Sequence, residues 1–350
     1  MNVVVRFLST NRDRLELGRF GLDGPLSSLF VTPRWPTSRH VVVLITARGT
    51  SRPVLVAKLP RLRAGGEGLA CEASILEAIQ AARPDGFRGI PRVVAHEHVE
   101  SRPLLVETAL RGRPVGSEIR RRDRARYVAE ILDLLETLPR STITVADAFE
   151  RLLEEPLRGF ARSFGEASEE ADLAARTLAV LEILRAVATP LVLEHGDLSH
   201  PNLISLDEGG IGVVDWELAE LHGLPLHDLC FFLAFVAFAT RRTRTTEARV
   251  AAFHEAFLAP GAWARPAVGE YARRLGLDAT LLTPLFIACW ARYTTRLLER
   301  VGGDDETAAE VEGPRSAPRL GAAARLHAYP YYAMWRHAIA CIGSLAWPTP

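Results

Sequence analysis

Between Leu26 and Val106 the apolar residues fall in short β-branched blocks, with Gly, Pro and polar clusters between them. SLFVTP, HVVVLITARG and PVLVAKLP are divided by RWPTSR and TSRP, a pattern that predicts a meander of three antiparallel strands. The period then changes. After the loop AGGEG, the segment ACEASILEAIQAA sets Ile75, Leu76 and Ile79 on one helical face. PRVVAHEHVE and RPLLVETAL read as two further strands, so a small sheet carrying one helix is expected up to residue 108.

RGRPVG reads as a connector, and the spacing beyond it is helical. Tyr127, Ile131, Leu134, Leu135 and Leu138 mark one helix and residues 167–188 another; three more are expected around 229–241, 281–298 and 332–345. One stretch interrupts them, LVLEHGDLSHPNLISLDEGGIGVVDWE. Its two short strands flank Glu208-Gly209-Gly210, as in a β-hairpin embedded in a helical region. The expected domains are residues 1–108 and 109–350.

Composition narrows the function classes. A chain of 350 residues with 48% hydrophobic content can bury two sizeable cores. Its 42 acidic and 42 basic residues cancel, which leaves no electrostatic footprint for nucleic acid or an anionic membrane. Arg120-Arg121-Arg122 and Asp304-Asp305-Glu306 read as solvated faces. Cys71, Cys230, Cys289 and Cys341 lie far apart, without a CxxC or a Cys/His ligand spacing, and are expected as buried free thiols in a reducing compartment. The N-terminal apolar run is too short for a signal peptide, and the longest run, 229–239, is too short to span a bilayer. A cytoplasmic location is expected.

The most informative constellation is His195-Gly196-Asp197, then Asn202, then Asp215. Asp and Asn five residues apart on a loop, with a second Asp after the hairpin, can gather oxygen ligands and one further carboxylate at a single point. Oxygen ligation suits a hard cation such as Mg²⁺, which keeps waters and bridges to phosphates. Asn202 and Asp215 are then the metal ligands, and Asp197 is the carboxylate that accepts a proton from a hydroxyl. Either aspartate alone reads more readily as a turn or strand-end residue bonding its own backbone; the ordered set points to chemistry.

HGDLSHPN resembles the HGDxxxxN loop of the aminoglycoside phosphotransferases and their choline kinase-like relatives, and VVDWE is similar to their metal-binding Asp segment. The resemblance covers roughly residues 54–232. It implies an α+β, two-lobed protein kinase-like fold, with a small antiparallel-sheet lobe and a larger helical one. The implied reaction moves the γ-phosphoryl group of ATP or GTP to a hydroxyl of a small molecule, with Mg²⁺. Asp197 is then the base and Asn202 and Asp215 the Mg²⁺ ligands, while His195 and Asp228, the latter in LPLHDLCFF, support the catalytic loop.

Such a fold also implies a cation for the phosphates on the third strand, held by a glutamate of the adjacent helix. The only lysine among the 42 basic residues, Lys58, stands at the end of the third predicted strand. Glu72 is the preferred partner and Glu77 the fallback. A compact ammonium on a thin stem suits this position better than the planar fork of arginine. The nucleotide base is expected against backbone groups of Val106, Glu107 and Ala109.

Other motifs fail on their own chemistry. The loop TPRWPTSRH, expected over the phosphates, has no glycine, and Pro33 and Pro36 lack an N–H. GEGLAC lacks the last glycine of a dinucleotide fingerprint, and Lys58 is followed by leucine rather than the Ser or Thr of a P-loop. His96 and His98 have no third ligand nearby. No GxSxG elbow is present. A protein kinase is disfavoured, because WELAELHGLPLH alone separates Asp215 from Asp228. A catalytically silent nucleotide-binding or regulatory protein of the same fold is the remaining alternative. For the acceptor, the acidic residues Asp304, Asp305, Glu306, Glu310 and Glu312 or the aromatic residues Tyr329, Tyr331, Tyr332 and Trp335 are candidates.

Overall fold

The computed structural model describes residues 2–31, 40–61, 66–116, 119, 124–308 (side chains to 299), 326–345 and 347. The chain divides into two units, residues 1–115 with 201–219, and residues 116–200 with 220–350.

The first unit opens with a helix that the strand-centred reading did not anticipate. In α1 (Val3–Thr10) the Asn2 side chain accepts from the Val5 N–H, and Val4, Val5, Phe7 and Leu8 bury one face. The strands β1 (Leu26–Val31), β2 (His40–Ala47) and β3 (Leu55–Pro60) follow as expected, then α2 (Glu67–Ala82), β4 (Val93–Val99) and β5 (Arg102–Thr108). They form one antiparallel sheet in the order β1-β2-β3-β5-β4. Strand alternation assigns its faces. Val43, Ile45, Leu55, Ala57, Leu104 and Val106 pack with Phe7 and Leu8 of α1, whereas Leu105 packs with Leu69 and Ala73 of α2. Lys58 is opposite Leu105 in the β3–β5 register.

The hairpin is present, with Gly209 and Gly210 at φ 82 and 84, a left-handed turn that glycine adopts without a Cβ penalty. Its grouping differs from the expectation. Its strands pair with β6 (Gly112–Pro114) as a three-stranded sheet, β9 (Leu203–Leu206) in the centre and β10 (Ile211–Val213) on its other side. The hairpin therefore belongs to the first unit. A local period-two pattern cannot reveal this, because the pairing partner lies some 90 residues away in the chain.

In the second unit α3 (Arg124–Thr137) buries Tyr127, Ile131 and Leu135. There follow β7 (Arg140–Thr144), α4 (Val145–Phe149), α5 (Glu155–Phe164), α6 (Glu169–Leu181) and β8 (Pro190–Glu194). After the excursion through β9 and β10 the chain returns with β11 (Glu220–Gly223), which pairs with β8. The rest is helical: α7 (His227–Arg241), α8 (Thr246–Phe253), α9 (Arg265–Leu275), α10 (Leu282–Ala308) and α11 (Pro330–Ala340). Apolar all round, α7 is a core helix. Phe231 packs on Trp290 of α10, and Phe253 and Phe257 close around Phe286 and Trp290. Among the described residues no helix is long and apolar enough to cross a membrane. Of the cysteines only Cys230 and Cys289 are buried; Cys71 is exposed and Cys341 half-buried.

Candidate active site

In the first unit, strand parity puts Lys58 on the α2 face of the sheet, opposite in sense to Ala57. On α2, Glu72 shares the buried face with Leu69, Ala73, Ile75, Leu76 and Ile79, while Glu77 is exposed. Lys58 Nζ donates to Glu72 Oε1 at 2.6 Å. A second carboxylate stands beside it: Glu107 Oε1 is 3.1 Å from the same ammonium. Glu107 has the strand parity of Leu105, so its side chain faces Lys58, a role that a backbone contact with a base did not foresee. The other oxygens of Glu72 and Glu107 are buried and have no hydrogen-bond partner among the described residues.

The electrostatics follow from burial. Desolvation pushes the Lys58 ammonium toward neutrality, but Glu107, Glu72 and Asp215 outweigh it and hold its pKa above the ordinary value. Burial raises Glu72 against the opposing pull of Lys58. The same burial takes Glu107 up to about 7. One ammonium thus stands among three carboxyl groups, two of them raised by burial, an arrangement in which a further cation would favour their ionised forms.

The hairpin brings the other predicted ligands to that charge. The Val214 N–H donates to the Asn202 carbonyl at 3.0 Å, which sets Asn202 across the ladder from the residue before Asp215. Asp215 is in the left-handed region, at φ 72, unusual for a residue with a Cβ and a mark of a constrained site. Beyond it the Trp216 N–H donates to Glu72 Oε1 at 2.9 Å, the same oxygen that receives Lys58. Two residues escaped the sequence reading. Glu217 Oε2 lies 3.3 Å from Nδ1 of the buried His40, and His40, Asp215 and Glu217 bring one ligand atom each within 4.8 Å. The signal for Glu217 was available, two positions after Asp215 in VVDWE.

In the second unit His195, Gly196 and Asp197 hang on a buried scaffold. Asp228, in the first turn of α7, accepts from the His195 N–H at 2.7 Å and the Gly196 N–H at 2.9 Å. Burial, with Glu194 nearby, raises Asp228 to about 7 despite those two donors. Glu194 accepts from Arg292 at 2.7 Å and from the Leu224 N–H at 2.7 Å, with Arg296 at 3.4 Å. Although burial opposes it, the neighbouring Arg292, His227 and Arg296 hold Glu194 down to about 2. His227 is lowered to about 4 by burial. Gly223 is required here, because a Cβ would come within 2.3 Å of Glu194 Cβ. Asp197 itself is half-buried; its N–H donates to His195 Nδ1 at 3.2 Å. Its carboxylate helps, after burial, to raise the Tyr331 phenol pKa.

Several expectations are redistributed. Val106 and Glu107 lie within β5, and the Ala109 N–H donates to the Val54 carbonyl at 2.9 Å, so that donor is already engaged. Of the aromatic residues, Tyr331 packs with Tyr293 and Phe231, whereas Tyr332 and Trp335 pack on Phe160 and the Trp335 indole donates to Thr177 at 2.9 Å. The latter two are core. His96 and His98 join no group of three ligand-type side chains among the described residues. The segment 32–39 and the acidic side chains of 304–306, 310 and 312 lie outside the described residues.

A model of the phosphotransferase enzyme family matches residues 37–271, a range that holds Lys58, Glu72, Asp197, Asn202, Asp215 and Asp228. The chain belongs to that family. The fold of this phosphotransferase-family chain is similar to that of a thermostable mutant of aminoglycoside phosphotransferase APH(4)-Ia, solved as a ternary complex with ADP and hygromycin B. The TM-score is 0.53 at 13% identity, over 95% of this chain and 98% of that one. Choline kinase LicA from Streptococcus pneumoniae is similar with a TM-score of 0.51 at 11% identity, over 94% and 99% of the two chains. These likenesses establish the protein kinase-like α+β fold. No curated protein matches the chain in sequence.

Proposed function

We propose that this phosphotransferase-family chain is a small-molecule kinase that moves the γ-phosphoryl group of ATP or GTP to a hydroxyl. The observation that carries the reading is the junction at Glu72 Oε1, which receives both the Lys58 ammonium and the Trp216 N–H. It ties the phosphate-binding cation to the backbone next to Asp215. In phosphoryl transfer the protein supplies mainly positioning and charge cancellation.

Lys58, steadied by Glu72 and Glu107, binds the phosphates of the donor. The base is assigned to the Val106–Ala109 segment, without the Ala109 N–H. Asn202 and Asp215 supply oxygen ligands, with Glu217 beside Asp215, and the surplus of carboxylates over ammonium fits a hard divalent cation. Mg²⁺ at this point would neutralise charge on the β- and γ-phosphates. Asp197 accepts the proton of the acceptor hydroxyl as its oxygen bonds to phosphorus and the bond from phosphorus to the leaving nucleoside diphosphate breaks. Asp228, through the His195 and Gly196 N–H groups, fixes the loop that carries Asp197. Tyr331, close enough to sense Asp197, marks one wall of the acceptor side, and its π-face suits a sugar or an amine.

The test is a γ-phosphate transfer screen against hydroxylated amines, sugars and antibiotics. Asp197→Asn is expected to lower turnover by about 10³-fold with an unchanged melting temperature and unchanged Mg²⁺-nucleotide affinity. A mutant that keeps the wild-type rate refutes the base assignment. Mg²⁺-dependent nucleotide binding with no product on any acceptor supports the silent-protein alternative.

A further inference from the structure

Away from the catalytic residues, the second unit gathers nitrogen and sulfur donors at one point. His254 begins the π-type turn His254–Leu258 at the end of α8, His337 lies in the last turn of α11, and Cys341 is the C-cap of that helix. The four-residue spacing sets His337 and Cys341 on one side of α11. His254 Nδ1 is 2.9 Å from His337 Nε2, and Cys341 Sγ is 3.9 Å from the same nitrogen. All three donor atoms fall within 4.8 Å of one another. A tetrahedral ion with metal–nitrogen bonds of about 2.0–2.1 Å and a metal–sulfur bond of about 2.3 Å spaces its donors roughly 3.3–3.7 Å apart. The two measured distances bracket that range, so small rotations of the side chains meet it.

Two independent features favour a ligand. The imidazoles at 2.9 Å share one N–H···N hydrogen bond, so at least one ring nitrogen is unprotonated. Next to the rings a pocket of ≈ 590 Å³ is lined by Thr246, Glu247, Val250, Ala251, Ala333 and both histidines. It leaves one side of the donor group open to an exchangeable ligand.

We propose that His254, His337 and Cys341 bind one zinc-class divalent ion whose fourth position faces this pocket. A water from the pocket completes the shell. Binding releases the Cys341 thiol proton to solvent, because the thiolate is the ligand. Two nitrogens and a sulfur select a softer ion than the oxygen ligands Asn202 and Asp215, so Mg²⁺ does not compete. The ion would pin the end of α8 to the end of α11. The sequence reading found no Cys/His ligand spacing because His254 stands 83 residues from His337.

The experiment uses untagged full-length protein, stripped with chelator and titrated with Co²⁺ by absorption and with Zn²⁺ by calorimetry. One equivalent and a thiolate-to-cobalt charge-transfer band are expected, with a rise in melting temperature on adding Zn²⁺ and no displacement by excess Mg²⁺. Cys341→Ser should abolish the band, and His337→Gln should weaken Zn²⁺ binding by about tenfold or more, since even partners one shell further out cost that much. Metal-free melting curves of both variants establish that they fold. Asp215→Asn should leave Zn²⁺ binding unchanged. Absence of stoichiometric binding, or binding that survives both Cys341→Ser and His337→Gln, overturns the site.

Discussion

The two units each bury an ionic cluster, and the two clusters are balanced differently. Around Lys58, one ammonium meets three carboxylates, Glu72, Glu107 and Asp215, and two carboxylate oxygens lack partners among the described residues. Around Glu194, the guanidiniums of Arg292 and Arg296 both meet Glu194, Arg296 also meets Glu220, and Asp228 takes two backbone N–H groups. A buried charge needs a partner. In the second cluster the carboxylates find guanidiniums or backbone N–H groups, although Arg292 Nη2 and both His227 ring nitrogens lack hydrogen-bond partners among the described residues; in the first it is carboxylate oxygens that are left over, as the proposed cation site would require.

The largest effect that would break this contrast is on the scaffold. Arg292→Ala, which leaves Glu194 buried with the more distant Arg296, is expected to cost about 3–5 kcal/mol in urea unfolding. A loss under about 1 kcal/mol would show that Arg292 is not compensating a buried charge. Next is Lys58→Arg. It keeps the charge but widens the head group, and is expected to lower kcat/KM by about 10²-fold with little change in unfolding free energy. Equal loss of stability and activity would make Lys58 a packing residue.

A smaller effect concerns pH. Glu107, raised to about 7 from an ordinary 4.5, holds a proton in the folded state that the unfolded chain has released between those values. Its contribution to stability is therefore full below about 4.5 and lost as pH rises through 7. Glu194, lowered to about 2, behaves in the opposite sense: its contribution is present above 4.5 and lost on acidification toward 2. Glu107→Gln should thus raise stability at pH 8 by about 1–3 kcal/mol and flatten, without abolishing, the decline between pH 4.5 and 7, since Asp228 titrates in the same window. Denaturant midpoints measured from pH 4 to 8 test this; an unchanged slope in Glu107→Gln would refute it. The smallest effect calibrates the others. Arg6 and Glu100 form an ion pair exposed on both sides, and Arg6→Ala should change stability by less than about 0.5 kcal/mol in the same assay. A larger cost would mean that burial does not separate strong pairs from weak ones here.

Much of the candidate site was legible because its residue types are confined by chemistry. Asp197, Asn202 and Asp215 stand in a fixed order around a turn marked by Gly209 and Gly210, and the only lysine lies on a strand ahead of an amphipathic helix. Strand and helix periods along β2, β3, α2 and α7 also follow from local alternation and spacing. The pairing of Glu107 with Lys58 escaped because it depends on the β3–β5 register, and Arg292 because its partner Glu194 is 98 residues away.

By itself, then, the sequence determined the first sheet with its helix, the hairpin and several of the later helices, the family motif and the set of candidate side chains, since these depend on neighbours along the chain. Only the tertiary structure decided which carboxylates share Lys58, that the hairpin belongs with the first unit, and that His254 meets His337 and Cys341. Those facts depend on strand register and helix docking between segments far apart in the chain, which no local pattern of apolar and polar residues encodes.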